Sequence, residues 1–131
     1  MPAPETPYRP YLSRFQDPQG PGDQRPTADE VIKDLKAEGS LEGKVVLITG
    51  GTGGLGLETA KSLRVTGAKI FITARSEVKG RAAVEAISSN GQGAAVEFIV
   101  LDLASLKSVR SAAAEFMKQS DRLDILITNA G

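Results

Sequence analysis

Apolar and polar positions follow two alternating periods along the chain from Lys44 onward. Four short continuous apolar runs predict strands covered on both faces, at 45–48, 70–74, 96–101 and 125–127. Between them, apolar side chains at helical spacing predict three helices, through Leu57, Ala60 and Leu63, through Val78, Ala82, Ala83, Ala86 and Ile87, and through Leu106, Val109, Ala113, Phe116 and Met117. This βαβαβαβ pattern predicts an α/β fold, a doubly wound parallel sheet with right-handed crossovers and strand order 3-2-1-4.

The first 40 residues follow neither period. All seven prolines lie between positions 2 and 26, so this leader is expected to be extended or irregular. It is either disordered or a strap that lies on the body through Tyr8, Tyr11, Leu12 and Phe15. The segment Thr27-Ala28-Asp29-Glu30 predicts a capping box for a short accessory helix, whose apolar face is Ala28, Val31, Ile32 and Leu35.

Composition excludes several classes of function. The 131 residues include 16 basic and 16 acidic side chains and no His or Cys. A net charge of zero argues against a nucleic-acid binder, and the missing His and Cys remove disulfides and the usual zinc ligands. No apolar run approaches the roughly 20 residues that span a bilayer, and the first residues lack a secretory apolar region. We therefore expect a cytoplasmic protein with no metal site.

Glycines are concentrated after the first predicted strand. Five of the fourteen lie in the segment T-G-G-T-G-G-L-G at 49–56, which opens the next helix. Such a turn lets the backbone approach a phosphate, and the helix N-terminus offers free N–H groups. A P-loop is excluded because Leu57 and Glu58 replace the required Lys and Ser or Thr. Three dinucleotide-binding patterns remain open: G-x-G-x-x-G through Gly51, Gly53 and Gly56, T-G-x-x-x-G-x-G through Gly50, Gly54 and Gly56, and T-G-x-x-G-x-x-G through Gly50, Gly53 and Gly56.

Two later motifs distinguish between these patterns. Asp102-Leu103 follows the third strand, and Thr128-Asn129-Ala130-Gly131 follows the fourth. With the glycine turn, they resemble the compact branch of the short-chain dehydrogenase/reductase family, which carries N-N-A-G where this chain has T-N-A-G. The segments 54–60 and 74–75 look closest to retinol-dehydrogenase-like and WW-domain-oxidoreductase-like members. The resemblance implies a partial Rossmann-type dinucleotide-binding domain over residues 41–131, preceded by the Pro-rich leader and short helix over residues 1–40.

The resemblance also implies roles for particular residues. Asp102 would hydrogen-bond the adenine amino group, with Leu103 beside the base, although Asp102 could instead cap the following helix. Asn129 could likewise be an ordinary turn residue. The backbone of the glycine turn would hold the pyrophosphate, through Gly50, Thr52, Gly54, Leu55 and Gly56. The last motif would lie beside the adenosine ribose and steady the central strand, through Asn129, Ala130 and Gly131.

Arg75 bears on the choice of cofactor. An acid at the end of the second strand would bind the ribose 2′-OH of NAD, whereas this strand ends in Thr73-Ala74-Arg75. A guanidinium suits a phosphate dianion, so the sequence favours NADP over NAD. Two features weaken the inference, since Glu77 lies two residues on and Gly53 takes the place of a second basic residue. Arg75 could also be a solvated surface side chain.

The sequence lacks the residues that catalyse hydride transfer in the resembled family. Those are a Ser and a Tyr-x-x-x-Lys pair, and neither Tyr8 nor Tyr11 begins such a pair. We therefore expect the cofactor half of an NADP-dependent oxidoreductase, inactive as given. It could be a truncated gene model, a degraded gene product or a fragment. The resemblance implies a small lipophilic alcohol or carbonyl as the substrate of a full-length relative. The alternatives are a non-catalytic nucleotide-binding or interaction module and an unrelated doubly wound fold.

The fourth predicted strand has a consequence for association. In the order 3-2-1-4 it lies at the edge of the sheet, and Ile125-Leu126-Ile127 is apolar. Such edges pair with other chains, so we expect self-association, poor solubility or fraying of residues 120–131.

Overall fold

The computed structural model describes residues 8–89, 91 and 93–130. Each strand and helix expected from the apolar periods is present within these residues. Gly131 of the T-N-A-G motif and the prolines at positions 2, 4 and 7 lie outside them. In chain order, the elements are a 3₁₀ helix Leu12–Phe15, α1 Ala28–Asp34, β1 Val45–Ile48, α2 Gly54–Arg64, β2 Lys69–Ala74, α3 Glu77–Ser88, β3 Val96–Val100, α4 Leu106–Gln119 and β4 Ile125–Ile127.

The four strands form one parallel sheet in the order β3-β2-β1-β4, which confirms the predicted topology. Val46 of β1 lies beside Ile70 of β2 on one side and beside Ile125 of β4 on the other. Ile70 in turn lies beside Val96 of β3. Because all strands run the same way, their carboxyl ends meet at one edge of the sheet, the carboxyl edge, and their amino ends meet at the opposite, amino edge.

Successive residues of each strand are buried on opposite faces of the sheet. On one face, α2 and α3 cover a cluster built from the strands and from Ala60, Ala83 and Ile87 of the helices. On the other face, α4 packs Ala112 and Phe116 against the strands, and the rings of Phe71 and Phe116 meet edge to face with centroids 5.0 Å apart. Helices on both faces complete the doubly wound arrangement.

Several of the apolar side chains at helical spacing are exposed, and the large ones among them are Leu35, Val78, Leu106 and Met117. Leu35 is the C-cap of α1, and Val78 and Leu106 lie in the first turns of α3 and α4. The ends of a helix have fewer neighbours, so an apolar side chain there can fit the helical period and still be exposed. Met117 lies on the wall of an apolar groove beside β4, together with Leu126.

The segment before β1 is attached to the amino edge. The 3₁₀ helix is tied to α1, because Tyr11 Oη donates to Asp34 Oδ2 at 2.9 Å and Arg14 lies 3.6 Å from Glu30. The predicted capping box of α1 is present. Gly39 and Leu41 donate their amides to the carbonyls of the turn at 65–66, which joins α2 to the amino end of β2. The segment therefore lies at the end of the sheet opposite the glycine turn.

Within the described residues β4 pairs only with β1, so β4 is an edge strand. Leu126 is 53% exposed at the centre of β4. An apolar edge of this kind is open to another chain, and self-association through β4 stays a prediction.

A carboxylate joins β1 and β4 at the amino edge. Asp124 Oδ2 accepts the Val45 amide at 2.8 Å, and Arg122 donates to both carboxylate oxygens at 2.7 and 2.9 Å. The guanidinium of Arg122, and then the Val45 amide, lower the pKa of Asp124 to about 2. A carboxyl with a lowered pKa stabilises the fold above its unfolded pKa of about 3.9, and this stabilisation is lost as the pH falls through about 2.

We expect Asp124→Asn to lower the urea midpoint at pH 7, because the charged acceptor for Val45 and Arg122 is removed. The difference from the unaltered chain should shrink as the pH falls from 4 toward 2, where Asp124 itself becomes protonated. Asp121→Asn removes the same charge nearby without touching the Val45 amide and serves as the control. A midpoint difference that stays constant from pH 7 to pH 2.5 would contradict the assignment.

Candidate dinucleotide-binding site

The glycine turn begins with a peptide that is held from both neighbouring strands. Gly50 adopts a φ of 72°, in the left-handed region that favours glycine. Its amide donates to Thr73 Oγ1 on β2 at 3.0 Å, and the next amide, of Gly51, donates to the Thr73 carbonyl at 3.2 Å. The path of the turn is therefore fixed by β2 from its first residue.

The residues after β4 hold the same turn from the other side. Asn129 Nδ2 donates to the carbonyls of Thr49 and Gly50, each at 3.1 Å. The amides of Asn129 and Ala130 both donate to Thr49 Oγ1, at 3.1 and 3.2 Å. The T-N-A-G segment therefore ties β4 to β1 at the point where the glycine turn leaves the sheet.

The geometry distinguishes between the three glycine patterns that fit the glycine spacing. A Cβ on Gly56 would lie 2.3 Å from the Gly50 carbonyl oxygen and 2.7 Å from Asn129 Nδ2. Gly54 has a φ of 55°, again in the left-handed region. Gly53 is extended, and a Cβ there would meet no atom within 4 Å. Positions 50, 54 and 56 therefore require glycine and position 53 does not, which favours T-G-x-x-x-G-x-G.

The N-terminus of α2 lacks the side-chain cap that the other α-helices carry. Thr27, Ser76 and Ser105 each accept an amide of the first turn of their helices. At α2 the N-cap is Gly53, which has no side chain to do so. The first-turn amides of α2 are therefore left for solvent or an anion, and they lie beside the glycine turn.

A cleft of about 590 Å³ opens next to this turn at the carboxyl edge. It brings together six residues that the sequence predicted for the site: Gly50, Thr52, Arg75, Leu103, Asn129 and Ala130. Four further residues on its wall were missed by the sequence analysis: Thr73, Ala74, Lys79 and Leu101. The walls thus come from the ends of all four strands and from the start of α3.

Lys79 is the most informative of the missed residues. It lies four positions after Arg75, in the first turn of α3, whose N-cap Ser76 accepts the Lys79 amide at 3.3 Å. Both cations line the cleft. Glu77 between them is turned away, because its carboxylate pairs with Arg81 at 3.3 Å and lines another groove. The acid that weakened the inference from Arg75 is therefore engaged elsewhere.

The remaining predicted residues that the structure describes do not line the cleft. Asp102 is exposed, and its Oδ1 accepts the Ala104 amide at 3.0 Å while its own amide donates to Ser108 Oγ. These two hydrogen bonds hold the turn before α4. This is close to the helix-capping role that was the alternative expectation for Asp102. Gly54, Leu55 and Gly56 form the first turn of α2, with Leu55 exposed. Gly131 lies outside the described residues.

A doubly wound sheet with a glycine turn and an uncapped helix N-terminus at its carboxyl edge is typical of dinucleotide-binding α/β proteins. A family model described as short chain dehydrogenase matches residues 44–131, and the chain belongs to this family. The resemblance drawn from the motifs is thereby confirmed.

Relatives and solved structures agree with this assignment. The chain is 42% identical over 121 residues to the short-chain dehydrogenase/reductase prx1 of Penicillium rubens, covering 92% of this chain and 35% of that protein. It is 42% identical over 93 residues to the human dehydrogenase/reductase SDR family member 13, covering 71% of this chain and 25% of that protein. The crystal structure of a metagenomic short-chain oxidoreductase in complex with NADP matches with a TM-score of 0.63 and 34% identity, covering 70% of this chain and 41% of that one.

The chain spans about a third of the length of the Penicillium relative. Its match to that protein extends well before Lys44, so it includes much of the segment attached to the amino edge. Among residues 8–89, 91 and 93–130, the model contains no helix long and apolar enough to cross a membrane.

The close approach at Gly56 can be tested with two alanine substitutions. Gly56→Ala should destabilise the chain by about 1–3 kcal/mol, because the new methyl group displaces the Gly50 carbonyl and Asn129. Gly53→Ala is the matched control in the same turn. Alanine is a weaker N-cap than glycine, which destabilises the folded chain, but it also lowers the entropy of the unfolded chain, which stabilises the fold. Each effect amounts to a few tenths to about 1 kcal/mol, so the net change in stability should be small. Equal urea midpoints for the two variants would contradict the model of the turn.

Proposed function

We propose that this chain supplies the NADP-binding part of a short-chain oxidoreductase that interconverts an alcohol and a carbonyl by hydride transfer. The observation that carries the choice of cofactor is that two cations, Arg75 and Lys79, line the cleft beside the glycine turn. Family membership supports the reaction class. The substrate follows only from the retinol-dehydrogenase-like resemblance, which points to a small lipophilic alcohol or carbonyl.

The residues of the cleft fit a dinucleotide from one end to the other. The uncapped first turn of α2 suits a pyrophosphate, and the space beside Gly53 and Gly54 is open, since a Cβ at either would meet no atom within 4 Å. Leu101 and Leu103 offer an apolar wall for the adenine ring. Asp102, exposed between them in the chain, would be the acceptor for its amino group. Asn129 and Ala130 would lie beside the adenosine ribose. When bound, the nicotinamide supplies or accepts the hydride.

The chain's charges distinguish NADP from NAD. A 2′-phosphate carries close to two negative charges, and a guanidinium can bind it with two parallel hydrogen bonds. Arg75 and Lys79 together can neutralise it, while Glu77 is paired with Arg81 and does not face the cleft. Lys79 thereby takes the place of the second basic residue that is missing at Gly53. The NADP complex of the metagenomic relative is consistent with this preference.

Arg75→Asp should reverse the preference between NADPH and NADH. The change removes a cation and adds a carboxylate that repels a 2′-phosphate and accepts a ribose hydroxyl. A charged hydrogen bond is worth about 1.5–3 kcal/mol, so NADPH affinity should fall by that amount in calorimetric titrations. Arg110→Asp makes the same charge change on α4, away from the cleft, and should leave both affinities unchanged. Equal affinity of the unaltered chain for the two nucleotides would exclude the role of Arg75.

We further propose that these 131 residues by themselves bind the nucleotide and do not transfer hydride. A phenol that protonates a carbonyl near neutral pH needs a lowered pKa. Tyr11 instead donates to Asp34, and this hydrogen bond raises the pKa of Tyr11. Tyr11 also lies on the segment attached to the amino edge, whereas the cleft opens at the carboxyl edge.

The expected rate of NADPH oxidation by the purified chain is that of buffer, with retinal-like, steroid and simple aldehyde substrates. Titration calorimetry on the same sample would establish that the nucleotide site is formed. A rate above buffer that disappears in Tyr8→Phe or Tyr11→Phe would overturn this proposal, and the leader would then belong to an active site. Nucleotide binding without turnover would also fit the alternative function of a non-catalytic binding module.

A further inference from the structure

We propose that Thr73 is a positioning residue for nucleotide binding, whose hydroxyl sets the orientation of the Gly50 peptide and so directs the phosphate-binding amides of the glycine turn. The inference rests on the proposed nucleotide binding and adds a determinant that lies outside the glycine motif. Thr73 is 6% exposed and lies on β2, 23 residues after Gly50.

The contact between Thr73 and Gly50 is not part of the regular sheet. In the ladder between β1 and β2, backbone bonds to backbone, and the last such bond here joins the Gly51 amide to the Thr73 carbonyl. The Gly50 amide donates instead to a side-chain oxygen, Thr73 Oγ1. A valine at position 73 would fill the same space on a buried strand but would offer no acceptor.

Two bonds from different strands fix the backbone of Gly50, one at each of the two peptide units that meet at its Cα. Its amide is held by Thr73 on β2 and its carbonyl by Asn129 after β4, at 3.0 and 3.1 Å. The same carbonyl lies against Gly56, where there is no room for a Cβ. A rotation of the backbone at Gly50 would therefore displace the first turn of α2, whose amides are the ones left free for a phosphate.

The Gly50 and Gly51 amides both donate to Thr73, which leaves the later amides of the turn free to bind a ligand. Without the Thr73 hydroxyl, the Gly50 amide would need another acceptor. The backbone at Gly50 would then be able to turn toward the cleft, which is the open side. The loss should weaken ligands that carry a phosphate at the glycine turn. It should spare ligands whose only phosphate lies at the Arg75 and Lys79 end of the cleft.

The test compares three variants of the whole chain. Thr73→Val keeps the shape and removes the acceptor, whereas Thr73→Ser keeps the acceptor. Thr66→Val is the matched control, because Thr66 is also a buried threonine, with its hydroxyl donating to the Leu63 carbonyl near the amino edge. Calorimetric titration with NADPH, ADP and adenosine 2′-monophosphate separates the two phosphate positions.

For Thr73→Val we expect about tenfold weaker binding of NADPH and ADP, equivalent to about 1.4 kcal/mol, and less than a twofold change for adenosine 2′-monophosphate. Thr73→Ser should restore ADP affinity to within about threefold. Thr66→Val should lower the melting temperature without changing any of the three affinities. Unchanged ADP affinity in Thr73→Val, or an equal loss for all three ligands, would overturn the proposal.

A readout without nucleotide keeps this inference separate from the proposed function. Amide exchange measured by NMR should show the Gly50 amide protected in the unaltered chain and in Thr73→Ser, and exchanging about tenfold faster or more in Thr73→Val. If the unaltered chain binds no nucleotide, the proposed function fails and the exchange rates still decide the role of Thr73. Equal protection of Gly50 in all three chains would exclude that role.

Discussion

The site depends on the hydrogen bonds that hold the Gly50 peptide between β2 and β4. Only a strand with a parallel neighbour on each side can have its following turn held in this way, and β1 is such a strand in the order β3-β2-β1-β4. Thr73 comes from one neighbour and Asn129 follows the other. The strand order thus explains why a cleft forms at this position, where the chain switches from one side of β1 to the other.

The held peptide gives the glycines of the turn distinct functions. Gly50 and Gly54 provide backbone conformations with positive φ, and Gly56 provides space for the Gly50 carbonyl. Gly53 fills neither need, and as the N-cap of α2 it leaves the first amides of the helix uncapped. A serine or aspartate at that position would compete with a phosphate for these amides. The turn is therefore hydrogen-bonded to the sheet where it begins and carries no side-chain cap where α2 starts.

The sequence was sufficient to predict the elements and their order, because buried parallel strands and amphipathic helices leave different apolar periods. The glycine spacing by itself could not decide between the glycine patterns, since it does not show that Gly53 is open and Gly56 is crowded. Lys79 was missed for a related reason. Its segment was interpreted as a helix that packs through apolar residues, and its place on the cleft wall depends on where α3 begins relative to β2.

The charged side chains at the two edges of the sheet are arranged differently. At the amino edge, Asp124 joins β4 to β1 and the accessory segment packs beside the end of α2, so charge there is paired within the protein. At the carboxyl edge, Arg75 and Lys79 line an open cleft, and the α2 amides beside it carry no cap. Positive groups at an open cleft that have no ion-pair partner among the described residues attract an anion from solvent, whereas paired ones only hold the fold. The described residues thus pair charges at the amino edge, while two cations stay exposed at the carboxyl edge.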